Sequence, residues 1–473
     1  MTSPAADLTA HPWFFCGIGG SGMLPLALIL RGHGAEIAGS DRSRDQGRSA
    51  EKFAWLEAQG IQMFPQDGSG ITSADQTLVA SAAVENTVPE VIRAGELGCA
   101  RMTRAELLAT LFNASGCGIA VGGTSGKSTV TGMIGWIMAQ AGRGPTIMNG
   151  AVMKNFVADN APFASARIGA GEVFVSEVDE SDGSIALYRP AIAVLNNVSL
   201  DHKSLEELRA LFGGFLASSG RVALNLDDAE TAALLPLARE ALTFAIERGD
   251  ATLHVAPGTI KDAASAIAAT VIDTRDGSRH ALTLRIPGRH NLANALAALG
   301  GAALAEVPVA QAVAALDSFI GLARRFDIVG TSPAGITVID DFGHNPEKVA
   351  ATLDTLRRHP GRIIAFFQPH GFGPLRQMGA ELAEILATRL GPDDITLLCD
   401  PVYFGGTVDR SVSSEHVVAM IEAAGGHAEH IPERAGCGDR IVALARPGDR
   451  IVVMGARDDT LSAFAKDILA RVP

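Results

Sequence analysis

The sequence predicts an α/β fold built from three domains with mainly parallel sheets. Three observations carry that expectation. Short apolar runs alternate with helical patterns almost throughout, the signature of layered α/β structure. Two glycine loops, GIGGSG at 17–22 and GGTSGKST at 122–129, each follow an apolar run and precede a helical pattern. At 473 residues, 47% of them hydrophobic, the chain is too long for one core and apolar enough to fill several. Aromatic residues make up only 5%, so packing must rest mainly on Ala, Val, Leu and Ile.

The first block, residues 1–113, begins with WFFC, a strand that runs through the glycine turn into the helix LPLALILRGHG. EIAGSD reads as a second strand ending in an acid, TLVAS at 77–81 as a third, and TRAELLATLF as the closing helix. The second block, 114–327, opens with the strand GIAV, the second glycine loop and a long helix. Strands follow at EVFVSEVD and AIAVLNNV, then the helix LEELRALFGGFLA, then strands at RVALNLD and ALTLRIP. An Ala-rich helix after GRHN ends it. The third block, 328–473, opens with the strand ITVIDDFG. It continues as helix PEKVAATLDTLRRH, strand RIIAFFQP, helix AELAEILATRL and strands ITLLCD and RIVVMGA, again a doubly wound pattern.

Composition narrows the partners. The formal net charge of −13 argues against nucleic-acid binding, because phosphate backbones need an excess of Lys and Arg. The start, MTSPAADLTAHP, has no basic residue ahead of an apolar run and does not read as a secretory signal. No stretch reaches the roughly 18 uninterrupted apolar residues of a membrane span. ALAALGGAALA at 295–305, the most apolar run, is short and split by glycines, and reads as a buried helix. Cys16, Cys99, Cys117, Cys399 and Cys437 are scattered and odd in number, which fits buried reduced thiols in a cytoplasmic protein.

GIGGSG satisfies G-x-G-x-x-G between a strand and a helix, and Asp41 stands at a later strand end. Such glycines let a backbone approach a pyrophosphate at a helix N-terminus, and the acid takes a ribose hydroxyl. A UDP-sugar fits this chemistry as well as NAD does. GGTSGKST departs from G-x-x-x-x-G-K-[ST] at Val121, which can simply close the strand. Gly122, Gly123 and Gly126 turn N–H groups inward as an anion nest. Lys127 reaches the β- and γ-phosphates of ATP, and the Ser128 hydroxyl reaches Mg²⁺.

SEVDESD at 176–182 places Glu177, Asp179, Glu180 and Asp182 at a strand end, where carboxylates suit Mg²⁺ or simply a solvated loop. Asp201 and His202, in NNVSLDH, form a weaker signal at a comparable edge. Two nucleotide loops in successive domains suit a ligase that uses ATP on a nucleotide-tagged substrate. An NAD dehydrogenase would leave Lys127, the acid cluster and GRHN without roles.

In order along nearly the whole chain, GIGGSGM…GSD, GTSGKST, EVDESD, NNVSLDH, PGRHNLANALAA, ARRFD and DDFGHNPEKV resemble the motif series of the Mur ligases. The resemblance implies a Rossmann-like UDP-substrate domain, a central P-loop ATPase domain and a C-terminal Rossmann-like domain for the incoming amino acid. It implies an ATP- and Mg²⁺-dependent ligase of peptidoglycan precursor synthesis. The γ-phosphate passes to the carboxylate of a UDP-N-acetylmuramate-type substrate, and an amino acid or peptide, L-alanine by default, then attacks the acyl phosphate. No nucleic-acid or membrane partner is expected, and the assembly is a monomer or homodimer.

Carried over position by position, Gly123, Thr124, Gly126, Lys127, Ser128 and Thr129 would hold the phosphates, with Ser128, Glu177 and His202 at the metal. His290, Asn291 and Asn294 would lie near the adenine, Arg325 near the γ-phosphate, and Asp341 against the nucleotide. His344 would complete a catalytic set with Lys127, Glu177, His202 and Arg325. Gly19, Ser21, Gly22, Asp41, Ser81 and Arg104 would contact the UDP substrate, and His370 and Arg376 the acceptor.

The acceptor motifs depart from the alanine-adding branch. DDFGHNP stands for DDYGHHP, with Phe342 for tyrosine and Asn345 for histidine. QPHGFGPLR stands for QPHRYTRTR, with Gly371 and Pro374 where arginines are usual. Ser125 replaces a histidine, and the segment after His202 is short. Arginine forks recognise carboxylates in bidentate fashion, so this loss leaves other acceptors open. These are a preformed tripeptide or another amino acid, with another nucleotide-sugar acid as donor, or a nucleotide-binding homologue without turnover.

Overall fold

The computed structural model describes residues 9, 11–82, 84–199, 203–402 and 411–473. It divides into two compact units. The first runs to Asp262 and resumes over Ile267–Arg285 and Arg289–Gly321. The second holds Leu322–Pro473 with the short pieces Ala263–Ala266 and Ile286–Gly288. Among the described residues no helix is long and apolar enough to cross a membrane.

The first unit contains two sheets. One has five strands, β1 (Trp13–Cys16), β2 (Ile37–Ser40), β3 (Gln62–Phe64), β4 (Thr77–Ala80) and β5 (Ala100–Thr103), parallel throughout in the order β3-β2-β1-β4-β5. β1, β2 and β4 are buried along their whole length, as strands covered on both faces must be, and these three were legible as apolar runs. The edge strands β3 and β5 escape the sequence reading because they are short, partly exposed and polar. Chain order reverses between β1 and β4, which opens a crevice beyond the strand ends where ligands of such sheets bind.

The larger sheet has eleven strands: β6 (Cys117–Gly122), β7 (Thr146–Met148), β8 (Ala166–Arg167), β9 (Val173–Glu177), β10 (Ile192–Leu195), β11 (Arg221–Asn225), β12 (Ala241–Ala245), β13 (Leu253–Val255), β14 (Lys261–Ala263), β15 (Ala266–Asp273) and β16 (Ser278–Leu284). β6 lies between β9 and β10, parallel to both, with Val121 beside Glu177 and Gly122 beside Leu195. That register sets the loop after β6 and the ends of its neighbours on one edge. The Ala-rich helix Arg289–Leu304 is buried nearly all round. A Cβ on Gly301 would lie 2.9 Å from Val194 and 3.1 Å from Ile134, so this glycine lets the helix settle against β10 and the helix Lys127–Gln140. The two sheets share one apolar cluster. Within it Phe112 meets Phe174 and Tyr188 edge-on, at centroid distances of 5.7 and 5.2 Å.

The second unit has a six-stranded sheet of β17 (Asp327–Thr331), β18 (Thr337–Asp341), β19 (Ile363–Gln368), β20 (Ile395–Leu398), β21 (Ala428–His430) and β22 (Arg450–Gly455), ordered β17-β18-β22-β19-β20-β21. Only β17 runs antiparallel. Alternate residues of β19 feed apolar clusters on opposite faces, Ile363, Ala365 and Phe367 on one and Ile364 and Phe366 on the other. Phe366 packs on Phe464 of the C-terminal helix Leu461–Arg471 with ring centroids 4.9 Å apart. Truncating a fully buried phenylalanine removes its burial and leaves a cavity. Phe366→Ala should therefore destabilise this unit by about 3–5 kcal/mol, read as lost native-state hydrogen-exchange protection in β19.

Candidate functional site

In the first sheet the glycine loop turns directly at the end of β1, where Gly17 takes φ +76°. The Gly19 N–H donates to Asp41 Oδ2 at 2.8 Å, and Asp41 Oδ1 accepts from the Ser43 N–H at 2.8 Å. Lys52 Nζ donates to Gly19 O at 3.3 Å. A Cβ on Gly19 would sit 2.9 Å from Asp41 and Phe53, and one on Gly22 2.9 Å from Arg104. The loop is therefore pinned against the acid and the arginine that the motif pairs with it. Ser21 is exposed on the loop, and Ser81 follows the end of β4. Arg104 also reaches the acidic loop of the larger sheet, 3.8 Å from Asp182.

The second loop leaves β6 with Gly123 at φ +132° and Gly126 at φ +80°, conformations that L side chains rarely adopt. Asn197, at the end of β10, holds it from behind. Its Oδ1 accepts from the Ser125 N–H at 2.8 Å and the Thr124 hydroxyl at 3.0 Å, and its Nδ2 donates to Ser125 O at 3.0 Å. The helix Lys127–Gln140 starts on this loop, so its first unpaired N–H groups face the space an anion would take. Ser128 and Thr129 are buried in its first turn.

Lys127 Nζ donates to Gly123 O at 2.7 Å and pairs with the buried Glu180 at 2.7 Å. The Ser128 hydroxyl donates to Glu177 Oε2 at 2.8 Å, and Asn149 Nδ2 donates to Ser128 O at 2.9 Å. A Cβ on Gly150 would overlap Glu177 Oε1, so the glycine makes room for this carboxylate. Burial pushes the Asp179 carboxyl up. Hydrogen bonds from the Ser181 hydroxyl and N–H, with the charges of Lys127 and Arg104, outweigh burial and hold it below its ordinary value.

These donors fit a Mg²⁺–nucleotide. A hydroxyl and a carboxylate side by side at a helix N-terminus are hard oxygen ligands, and Mg²⁺ needs few from protein when phosphates supply others. Among the described residues no group of three or more His, Cys, Asp or Glu gathers as a metal cage. His202 and Asp201 lie outside the described residues.

The GRHN segment enters the same site from the helix Arg289–Leu304. Asn294 Oδ1 accepts from Asn196 Nδ2 at 2.8 Å, and Asn294 Nδ2 donates to Asn291 Oδ1 at 3.2 Å. A Cβ on Gly126 would overlap Asn294 Oδ1. His290 is exposed one position before this buried amide chain. Sequence reading singled out neither Asn196, Asn197, Asn149 nor Gly150. The signal for the first two was a pair of amides directly after the apolar strand β10; nothing local marked the others.

In the second unit, β18 ends in Asp340 and Asp341, both buried. Asp341 accepts from the N–H groups of Phe326 and Gly343 at 2.8 and 2.9 Å and from the Thr352 hydroxyl at 2.7 Å. The Arg325 guanidinium lies 4.6 Å from the Phe342 ring centre. His344 and His370 meet edge-on at 5.3 Å. His344 Nδ1 donates to Phe342 O at 2.8 Å, while buried His370 Nδ1 has no hydrogen-bond partner among the described residues. Burial and then Lys348 bring the His344 pKa down to about 3 against the pull of that bond. Burial and then Arg457 bring His370 down to about 4.

Two of the changes in the acceptor motifs have local structural reasons. Asn345 Oδ1 accepts from the Lys348 N–H at 3.0 Å and so caps the helix Pro346–Arg357. Gly371 has φ +140°, which an arginine would adopt only under strain. Arg376 is on the exposed side of the helix Phe372–Arg389.

Comparison with known proteins extends over the same regions. Residues 14–115 match the family model described as "Mur ligase family, catalytic domain", 121–302 the "Mur ligase middle domain", and 324–457 the "Mur ligase, glutamate ligase domain". The UDP-N-acetylmuramate–L-alanine ligase of Pelotomaculum thermopropionicum is 33% identical over 456 residues, covering 94% of each chain. That of Agrobacterium fabrum is 33% identical over 480 residues, covering 98% of this chain and 97% of the relative. The solved UDP-N-acetylmuramate-alanine ligase of Thermotoga maritima matches the fold with a TM-score of 0.80 at 23% identity, over 98% of this chain and 99% of that one. The murein peptide ligase of Psychrobacter arcticus does so at 0.72 and 23%, over 98% of each. Three successive family matches and relatives at this identity over nearly the full length settle the family: the chain belongs to the Mur ligases.

Proposed function

We propose that this protein is an ADP-forming amide ligase of peptidoglycan precursor synthesis that joins an amino acid, by default L-alanine, to the carboxylate of UDP-N-acetylmuramate. The observation that carries the reading is the glycine loop that presents Lys127 and Ser128, with the Ser128 hydroxyl donating to Glu177 at the end of the neighbouring strand β9, in a chain a third identical to ligases of that name. Residues 1–113 take the UDP-substrate, 114–327 the ATP and 328–473 the incoming amine.

A carboxylate is a poor electrophile. Its oxygen attacks the γ-phosphorus, the bond to ADP breaks, and the carbonyl gains phosphate as a leaving group. Lys127 and the loop N–H groups neutralise charge on the transferring phosphoryl, which requires Lys127 to exchange Glu180 for phosphate oxygens. Ser128, Glu177 and His202 would hold Mg²⁺, and that ion would supply Lewis-acid chemistry when bound. Asn291, Asn294 and His290 border the adenine, and Arg325 adds a cation at the γ-phosphate. Gly19, Ser21, Gly22, Asp41, Ser81 and Arg104 seat the uridine diphosphate. The amine nitrogen then attacks the carbonyl carbon, phosphate departs, and the amine proton passes to a base. With pKa values brought down to about 3 and 4, His344 and His370 are neutral near pH 7 but weak bases. They hold the amine by a hydrogen bond while water or the departing phosphate takes its proton, beside Arg376 for the acceptor carboxylate.

A second acceptor class, a preformed peptide, is kept open by one observation. Gly371 turns in a backbone conformation unsuited to arginine, which leaves the acceptor site short of a carboxylate fork. ADP release measured with UDP-N-acetylmuramate crossed against single amino acids and the tripeptide decides between them. No ADP release with any such pair would overturn the ligase reading.

Lys127→Ala should lower ADP and amide formation by at least about 1,000-fold, the scale of losing a phosphoryl-stabilising cation. Calorimetric binding of the UDP-substrate should persist; activity within a few-fold of wild type would refute the loop assignment. For the histidines, the unfolded groups titrate near 6.5 and the folded ones near 3 and 4. Between these values the unfolded chain binds protons that the native unit excludes. The second unit should therefore lose stability as pH falls from about 6.5 towards 4, with no such loss from these groups above pH 7. A His344→Gln, His370→Gln double variant should show a shallower decline in hydrogen-exchange stability over that window.

A further inference from the structure

Arg325 stands between two residues in the left-handed region, Arg324 at φ +61° and Phe326 at φ +48°. Side chains other than glycine hold such angles only where their surroundings over-determine them, and such strain collects at functional sites. Here the surroundings are three consecutive residues at the end of β18. Asp340 accepts from Arg324 Nε at 3.4 Å, and the same guanidinium donates to Gly455 O at 2.6 Å and Asp458 O at 2.9 Å. Asp341 Oδ1 accepts from the Phe326 N–H at 2.8 Å. The Phe342 N–H donates to Arg324 O at 2.9 Å, and its ring lies 5.2 Å from the Arg324 guanidinium and 4.6 Å from that of Arg325.

Asp341 is itself clamped. Its Oδ2 accepts from the Gly343 N–H and the Thr352 hydroxyl, and a Cβ on Gly343 would come within 2.9 Å of it. Phe326 closes the segment by burying its ring in the apolar cluster that contains Ile339, Val349 and Leu353. A carboxylate with three protein donors, buried beneath a strained segment, is placed to shape that segment. The family resemblance would instead have it touch the nucleotide.

We propose that Asp341 and Thr352, with the Phe342 ring, are positioning residues that fix the backbone on both sides of Arg325 and so aim its guanidinium. This rests on the assignment of Arg325 to the γ-phosphate made above. The guanidinium fork is directional, and a misplacement of about 1 Å in a reacting geometry costs about 100-fold in rate.

The test is a double-mutant cycle on the full-length protein, measuring kcat for ADP formation and KM for ATP and for UDP-N-acetylmuramate. Asp341→Asn should lower kcat by about 100-fold and leave KM for UDP-N-acetylmuramate within about twofold. In an Arg325→Ala background the same change should cost less than about threefold, because the group it aims is gone. Thr352→Val should lower kcat by about tenfold, and Thr352→Ser, which keeps the hydroxyl, should restore it. The threonine pair keeps the test decisive if Asp341→Asn fails to fold. Losses from Asp341→Asn and Arg325→Ala that simply multiply would overturn the proposal. So would a rise in KM for ATP with kcat unchanged, the mark of a direct nucleotide contact. An Arg325→Ala enzyme as active as wild type would instead remove the Arg325 assignment on which the proposal rests.

Discussion

Everything at the central site depends on the parallel pairing of β6 with β9 on one side and β10 on the other. Parallel strands end on the same edge, so three separate stretches of chain deliver their polar ends to one place. β6 delivers the glycine loop, β9 delivers Glu177, and β10 delivers Asn196 and Asn197. Without that register the Ser128 hydroxyl would not meet a carboxylate 49 residues away, nor would the loop have Asn197 behind it. The helix that follows the loop then aims its unpaired N–H groups at the same spot.

The loop is shaped as much by what is missing as by what is present. Gly126 lies against the amide of Asn294, and Gly150 against the carboxylate of Glu177, at separations that leave no space for a methyl group. Small residues here allow polar side chains from distant segments to converge without a cavity. The convergence leaves charge in balance: Lys127 sits between a backbone carbonyl and Glu180, so its ammonium is never buried unpaired.

The second unit solves a different problem, which is to hold two neutral imidazoles beside strongly charged residues. Phe342 stands between the two kinds of group. Its ring faces two guanidiniums and the edge of His344, which in turn meets His370. Burial keeps both imidazoles unprotonated; it also pushes the Asp340 carboxyl up, against the pull of the Arg324 guanidinium with which it pairs. Two of the residues that differ from the alanine-adding motif serve the backbone here. Asn345 caps a helix, and Gly371 makes a turn that arginine would strain.

The sequence by itself determined the layered α/β class, the buried strands, the two glycine loops and the family, because each is written in local order: apolar runs, glycine spacing and motifs in sequence. It left the edge strands β3 and β5 and much of the flank of the larger sheet unread, since short, half-exposed strands carry no apolar run. Only the tertiary structure decided which polar residues meet across long stretches of chain. Asn197, Asn149, Gly150 and Thr352 look like ordinary loop or helix residues until strand pairing and helix packing bring them to distant partners. Asp341, which the family resemblance would bring to the nucleotide upon closure, accepts from three donors that the fold brings to it. Hydrogen-bond partners far apart in sequence are set by register and packing, and no local pattern encodes them.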